Sequence, residues 1–119
     1  MAIPAKCITV QQARQLQDNW VNTREPAITQ ARGGQQDARE MVFNIAELEE
    51  FLDYVKSESK KNGINNPGVR LYFAAYNNMN SDLATVFLSA TMSDAKNSDN
   101  NYDIQPYNTI TGGFPPKQY

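Results

Sequence analysis

Leu48, Phe51, Leu52 and Val55 recur at i, i+3, i+4 and i+7, the spacing that gathers side chains into one stripe along an α-helix. This is the strongest periodic signal in the chain, and its flanks agree with it. Asn44 followed by Glu47 has the N-x-x-E spacing of an N-terminal cap, in which the short side chain accepts from a backbone N–H left free by the first turn. Glu47, Glu49, Glu50 and Asp53 crowd the first half, and Lys56, Lys60 and Lys61 the end. That order suits the helix dipole. Asn62–Gly63 supplies a left-handed exit. A helix over 45–61 is therefore expected.

The next two runs switch to a period of two. In "GVRLYFAAY", residues 68–76, Val69, Leu71, Phe73 and Ala75 fall on one face, and Arg70, Tyr72, Ala74 and Tyr76 on the other. In "LATVFLSATM", Val86, Leu88, Ala90 and Met92 alternate with Thr85, Phe87, Ser89 and Thr91. The polar link "NNMNSD" is short enough for an antiparallel hairpin, expected at 69–77 and 84–92. Leu71 and Phe73 are expected in the core, and the tyrosines at its rim. Upstream, "REMVFN" reads as a short strand at 39–43. Its distance from the hairpin, with a helix between, is βαβ spacing, which a right-handed parallel crossover would satisfy.

Near the N-terminus, Thr9 and Gln12 have capping-box spacing, and Val10, Ala13, Leu16 and Trp20 lie near one helical face. Pro26 cannot continue the backbone ladder, so a helix over about 10–25 is expected to stop or kink there. Residues 27–32 can add a turn or two before Gly33 and Gly34 break them. After Met92 the chain becomes rich in Asn, Asp, Gly and Pro, with Ile104 and Ile110 its strong aliphatics. The expected fold is α+β in a single domain over 1–119. A three- to four-stranded mixed sheet carries two main helices, and 93–119 forms a mostly irregular arm with room for an edge strand at Asn108–Thr111.

Composition removes several chemistries. There is no histidine and one cysteine, Cys7, so the common zinc sites and the histidine-based catalytic triads and dyads cannot be built within one chain. A net charge of −2 argues against a general phosphate-backbone binder. No apolar run approaches the length of a membrane span, and "MAIPAKCITV" does not read as a signal peptide. The expected location is cytoplasmic, with no membrane partner and no cofactor.

Candidate sites are few. Arg70, Tyr72 and Tyr76 on one strand face invite comparison with an RNA-recognition strand, but Leu71 stands where that pattern needs glycine. Asp99, Asn101 and Asp103 alternate as at the start of a calcium loop, yet Ile104 replaces the turn glycine and Ile110 the closing glutamate. No metal site is expected. The acids of 47–53 are explained by the helix dipole, and the cluster Asn19, Trp20, Asn22, Thr23 and Arg24 by packing and capping where Pro26 interrupts the helix. "GGFPPKQY" favours extended geometry, and its Phe114, Pro115, Pro116 and Tyr119 are candidates for an interface, as a strap on the chain itself or on a neighbour.

The succession "ITVQQARQLQDNW", "MVFNIAELEEFLDYV", "VRLYFAAY" and "TVFLSAT" resembles small, functionally uncharacterised bacterial single-domain proteins over residues 8–92. The resemblance implies one small domain and transfers no activity. The functional expectation is a non-enzymatic domain that interacts with a protein partner or assembles with itself. The alternative is a small-molecule binding protein, catalysis included, with an anionic or planar ligand between the sheet and the first helix, near Arg24, Arg70, Tyr72 and Tyr76.

Overall fold

A computed structural model describes residues 1–109 and 112–119 of the chain. It contains helices α1 (Val10–Thr23), α2 (Glu25–Ala31) and α3 (Ile45–Lys61), and strands β1 (Gly68–Ala75) and β2 (Ala84–Thr91). The fold is α+β with a two-stranded antiparallel sheet among the described residues. The chain divides into two compact units, Met1–Asp37 with Phe114–Tyr119, and Ala38–Gly113.

The first unit is helical. Thr9 caps α1 reciprocally with Gln12: the Gln12 N–H donates to Thr9 Oγ1 at 3.0 Å, and the Thr9 N–H to Gln12 Oε1 at 2.9 Å. The helix ends earlier than expected, because Arg24 closes α1 and opens α2, with Pro26 in the first turn of the new helix. Proline is tolerated there, where its missing N–H had no intrahelical partner to lose. Gly33 and Gly34 then take φ of 69° and 93°, and the Gly34 N–H closes back onto Thr29 O at 2.9 Å. Val10 and Leu16, expected to face a core, are exposed.

The second unit is built around α3. Asn44 accepts from the Glu47 N–H at 2.9 Å, Lys60 and Lys61 occupy the last turn, and the helix has the bounds that its periodicity predicts. Its Phe51 and Val55 form a core with Leu88 and Ala90 of β2 and with Ile104 from the segment beyond. Phe43, Leu48, Leu52 and Tyr107 pack around it.

β1 and β2 pair with Leu71 opposite Leu88, Val69 opposite Ala90 and Phe73 opposite Val86. Cross-strand partners share a face, so these residues all lie on the side that α3 covers. Leu88 and Ala90 are 8% and 0% exposed, whereas Val69, Leu71 and Phe73 are 38%, 50% and 82% exposed. The expectation that Leu71 and Phe73 are core is thus overturned. The reason lies beyond β2, on the edge away from β1. There Leu88 and Tyr107 exchange N–H···O bonds at 2.8 and 2.9 Å, and the Asn101 N–H reaches Ala90 O at 2.8 Å. This returning segment, with Ile104 only 1% exposed, makes β2 the middle of the layer and draws the helix over that half. β1 is left at the rim.

The expected strand at 39–43 is reduced to a bridge. Met41 pairs with Gly112 in antiparallel sense, and the Gly113 N–H donates to Glu40 O at 3.0 Å. It does not join β1 by a parallel crossover: its backbone is engaged instead by Gly112 and Gly113. Of the edge strand considered at Asn108–Thr111, Ile110 and Thr111 lie outside the described residues. The preceding part is anchored by the Asn108 amide, which donates to Val86 O at 2.8 Å.

Candidate functional site

The outer edge of β1 follows from the hydrogen-bond pattern. Both backbone groups of Leu88 are used by Tyr107, so the Leu71–Leu88 pair is one of the wide, non-hydrogen-bonded pairs of the antiparallel ladder. The N–H and C=O of Leu71 therefore point away from β2. By alternation, those of Val69 and Phe73 do the same. Among the described residues none pairs with that edge. The same three residues carry the exposed apolar side chains. Open backbone groups and uncovered apolar surface thus coincide over five residues of one strand.

Soluble proteins blunt such an edge with lysine, proline, a bulge or an inward-pointing charge. Positions 69, 71 and 73 have none of these, and the strand runs its full length without interruption. Pro67 lies just ahead of β1 and marks where a further ladder must stop.

The opposite face is occupied. The Arg70 guanidinium donates to Asn100 Oδ1 at 2.7 Å, Ser98 O at 2.8 Å and Lys96 O at 3.1 Å. Its planar fork thus fastens the 96–100 loop over the sheet. Tyr72 stacks on Phe87 at 5.0 Å between centroids, and its hydroxyl accepts from the Asn100 amide at 2.7 Å. That amide, with the Arg70 guanidinium nearby, holds the Tyr72 phenol below its usual pKa against the opposing effect of burial. The Tyr76 hydroxyl donates to Asn108 Oδ1 at 2.9 Å. Arg70, Tyr72 and Tyr76 are therefore brought together on one face, where they tie loop to sheet. Arg24 belongs to the helical unit, with its guanidinium 3.0 Å from Thr23 Oγ1.

The C-terminal candidates lie in the helical unit. The Tyr119 carbonyl accepts from Arg14 Nε at 3.4 Å, and the Arg14 guanidinium stands 6.0 Å above the Tyr119 ring. Tyr119 thus lies against Arg14 of α1 within the helical unit. Phe114 and Tyr119 both remain exposed.

In the Asp99–Asp103 stretch, Asn101 Oδ1 accepts from the Asp103 N–H at 3.1 Å. Among the described residues no three Cys, Asp or Glu side chains converge to hold a metal, and no helix is long and apolar enough to cross a membrane.

One feature escaped the sequence reading. Glu47, Glu50, Phe51 and Tyr54, all on one side of α3, line an open cleft of about 420 Å³ with Tyr107. The signal on the helix is legible, since 47, 50, 51 and 54 have helical spacing. Tyr107 arrives from the far end of the chain and has no local signature.

Comparison with protein-family models, curated proteins and solved structures returns no match for this chain.

Proposed function

We propose that this protein is a non-enzymatic self-assembly module whose copies pair edge to edge through β1. The observation that carries the reading is the coincidence of open backbone groups with exposed Val69, Leu71 and Phe73 on a strand that lacks edge protection. A second copy fits this edge because the stripe is complementary to itself under two-fold symmetry. Antiparallel pairing centred on Leu71 sets Val69 of one copy against Phe73 of the other, and Arg70 against Tyr72. No like charges then face each other. All six apolar side chains fall on the helix-bearing side, where they extend the existing core. The sheet reaches four strands in this way, in the order β2–β1–β1–β2. A four-stranded layer is thus a property of the pair in our reading.

Burying a large apolar side chain is worth roughly 1.5–3 kcal/mol, and each substitution in a symmetric pair counts twice. Phe73→Lys should therefore weaken dimerisation by about a hundredfold or more. Sedimentation velocity over a range of protein concentration reads this directly. The wild type should approach twice the chain mass, and Phe73→Lys should remain at the monomer mass with an unchanged far-ultraviolet circular dichroism spectrum. A wild type that stays monomeric throughout, or a dimer indifferent to Phe73→Lys, overturns the proposal.

A further inference from the structure

The cleft on α3 has the makings of a cation site, and it is independent of the β1 edge. Its walls are aromatic. Phe51 lies 5.2 Å from Tyr107 and 6.4 Å from Tyr54 between ring centroids, so the three rings form a continuous surface. Phe51 is buried and belongs to the core. The Tyr54 hydroxyl accepts from the Gln105 N–H at 3.2 Å, and Tyr107 is pinned through its backbone to Leu88. The wall is therefore held in place before any ligand arrives, which lowers the ordering cost of binding.

The remaining lining groups are carboxylates. Glu47 and Glu50 sit one turn apart on the same side of α3 as Phe51 and Tyr54. Both side chains are solvent-exposed, and among the described residues neither has an ion-pair partner. Negative charge beside aromatic rings favours a cation by direct attraction, and a ring face turned to it adds the attraction of the quadrupole. The type of cation is also constrained. Two exposed carboxylates cannot replace the oxygen shell that magnesium or calcium demands, and aromatic walls offer nothing to a strongly hydrated ion. A weakly hydrated organic cation, guanidinium or quaternary ammonium, loses little water there and gains contact with the rings.

We propose that the cleft lined by Glu47, Glu50, Phe51, Tyr54 and Tyr107 binds an organic cation of the guanidinium or quaternary-ammonium class. Such a group can come from a small metabolite or from the side chain of a polypeptide, and the choice of probes separates the two. The test is a solution NMR titration that follows the ring signals of Tyr54 and Tyr107. Choline represents the small-molecule source and N-acetyl-arginine amide the peptide source. Sodium chloride at matched ionic strength and the neutral choline isostere 3,3-dimethylbutanol are the controls. Saturable shifts from either organic cation, absent with both controls, support the site, and the tighter probe names the source. The Glu47→Gln/Glu50→Gln double variant should weaken that binding about tenfold, as expected for two exposed charge pairs. Tyr54→Leu should weaken it while leaving both carboxylates in place. The proposal is overturned if neither cation gives saturable shifts, if dimethylbutanol matches them, or if the double variant binds as the wild type does.

Discussion

At the scale of single residues, Tyr72 shows how a side chain that resembles a ligand platform is spent on structure. Its ring is stacked on Phe87 and its hydroxyl is held by Asn100, and the sequence alone carries no sign of Asn100 as a partner 28 residues away. The same contact has a titration signature. The Tyr72 phenol is shifted below the ordinary value of about 10. In the window between its folded pKa and 10 the native state has released this proton and the unfolded chain has not. Stability from this group therefore increases as pH rises through that window. It is absent below the folded pKa, where the phenol is protonated in both states. Absorbance titration near 295 nm should resolve one of the six tyrosines ionising early. That component should disappear in Tyr72→Phe and return toward the ordinary value in Asn100→Ala. A single ionisation of all six at the usual pH, unaltered in either variant, contradicts the assignment.

At the scale of elements, legibility tracks the range of the interactions. Helix α3 was readable because its stripe, its Asn44 cap and its Gly63 exit are all local. The hairpin was readable as a hairpin for the same reason. Which half of its face is buried was not, because that depends on Tyr107 and Asn101 returning along β2 from the region read as an irregular arm. Periodicity separates two faces of a strand and says nothing about how far a helix extends across the layer. The pairing of 39–43 was not legible either, since its partner Gly112 lies just past the edge strand considered at Asn108–Thr111, in a Gly- and Pro-rich run without alternation.

Arg70 joins a loop to a strand in the same long-range way. It reads as an anion contact, yet its three donors fasten the 96–100 loop to β1. Arg70→Ala should lower unfolding stability by about 1–3 kcal/mol, the usual cost of losing hydrogen bonds to a charged group. Arg70→Lys should recover only part of it, because an ammonium cannot reproduce the fork. Urea denaturation midpoints measure both, and an Arg70→Ala midpoint equal to wild type would show that the loop is held by other means.

At the scale of the whole molecule, β1 is the proposed interface. The exposed stripe and the unpaired edge are two observations of different kind, one from side-chain burial and one from backbone pairing, and they fall on the same three residues. Such an edge left uncovered is a liability for aggregation, and closed two-fold pairing is the arrangement that removes it. The α1 stripe at Val10 and Leu16 is also exposed, but its backbone groups are satisfied within the helix and supply no register for a partner.

The most direct test is residue-resolved amide hydrogen exchange along β1 at low and high protein concentration. Arg70 and Tyr72, whose amides face β2, should be protected at every concentration. Val69, Leu71 and Phe73, whose amides face outward, should exchange rapidly when dilute and slow markedly as copies pair. Outward amides that exchange rapidly at every concentration, beside protected inner ones, would contradict edge-to-edge assembly.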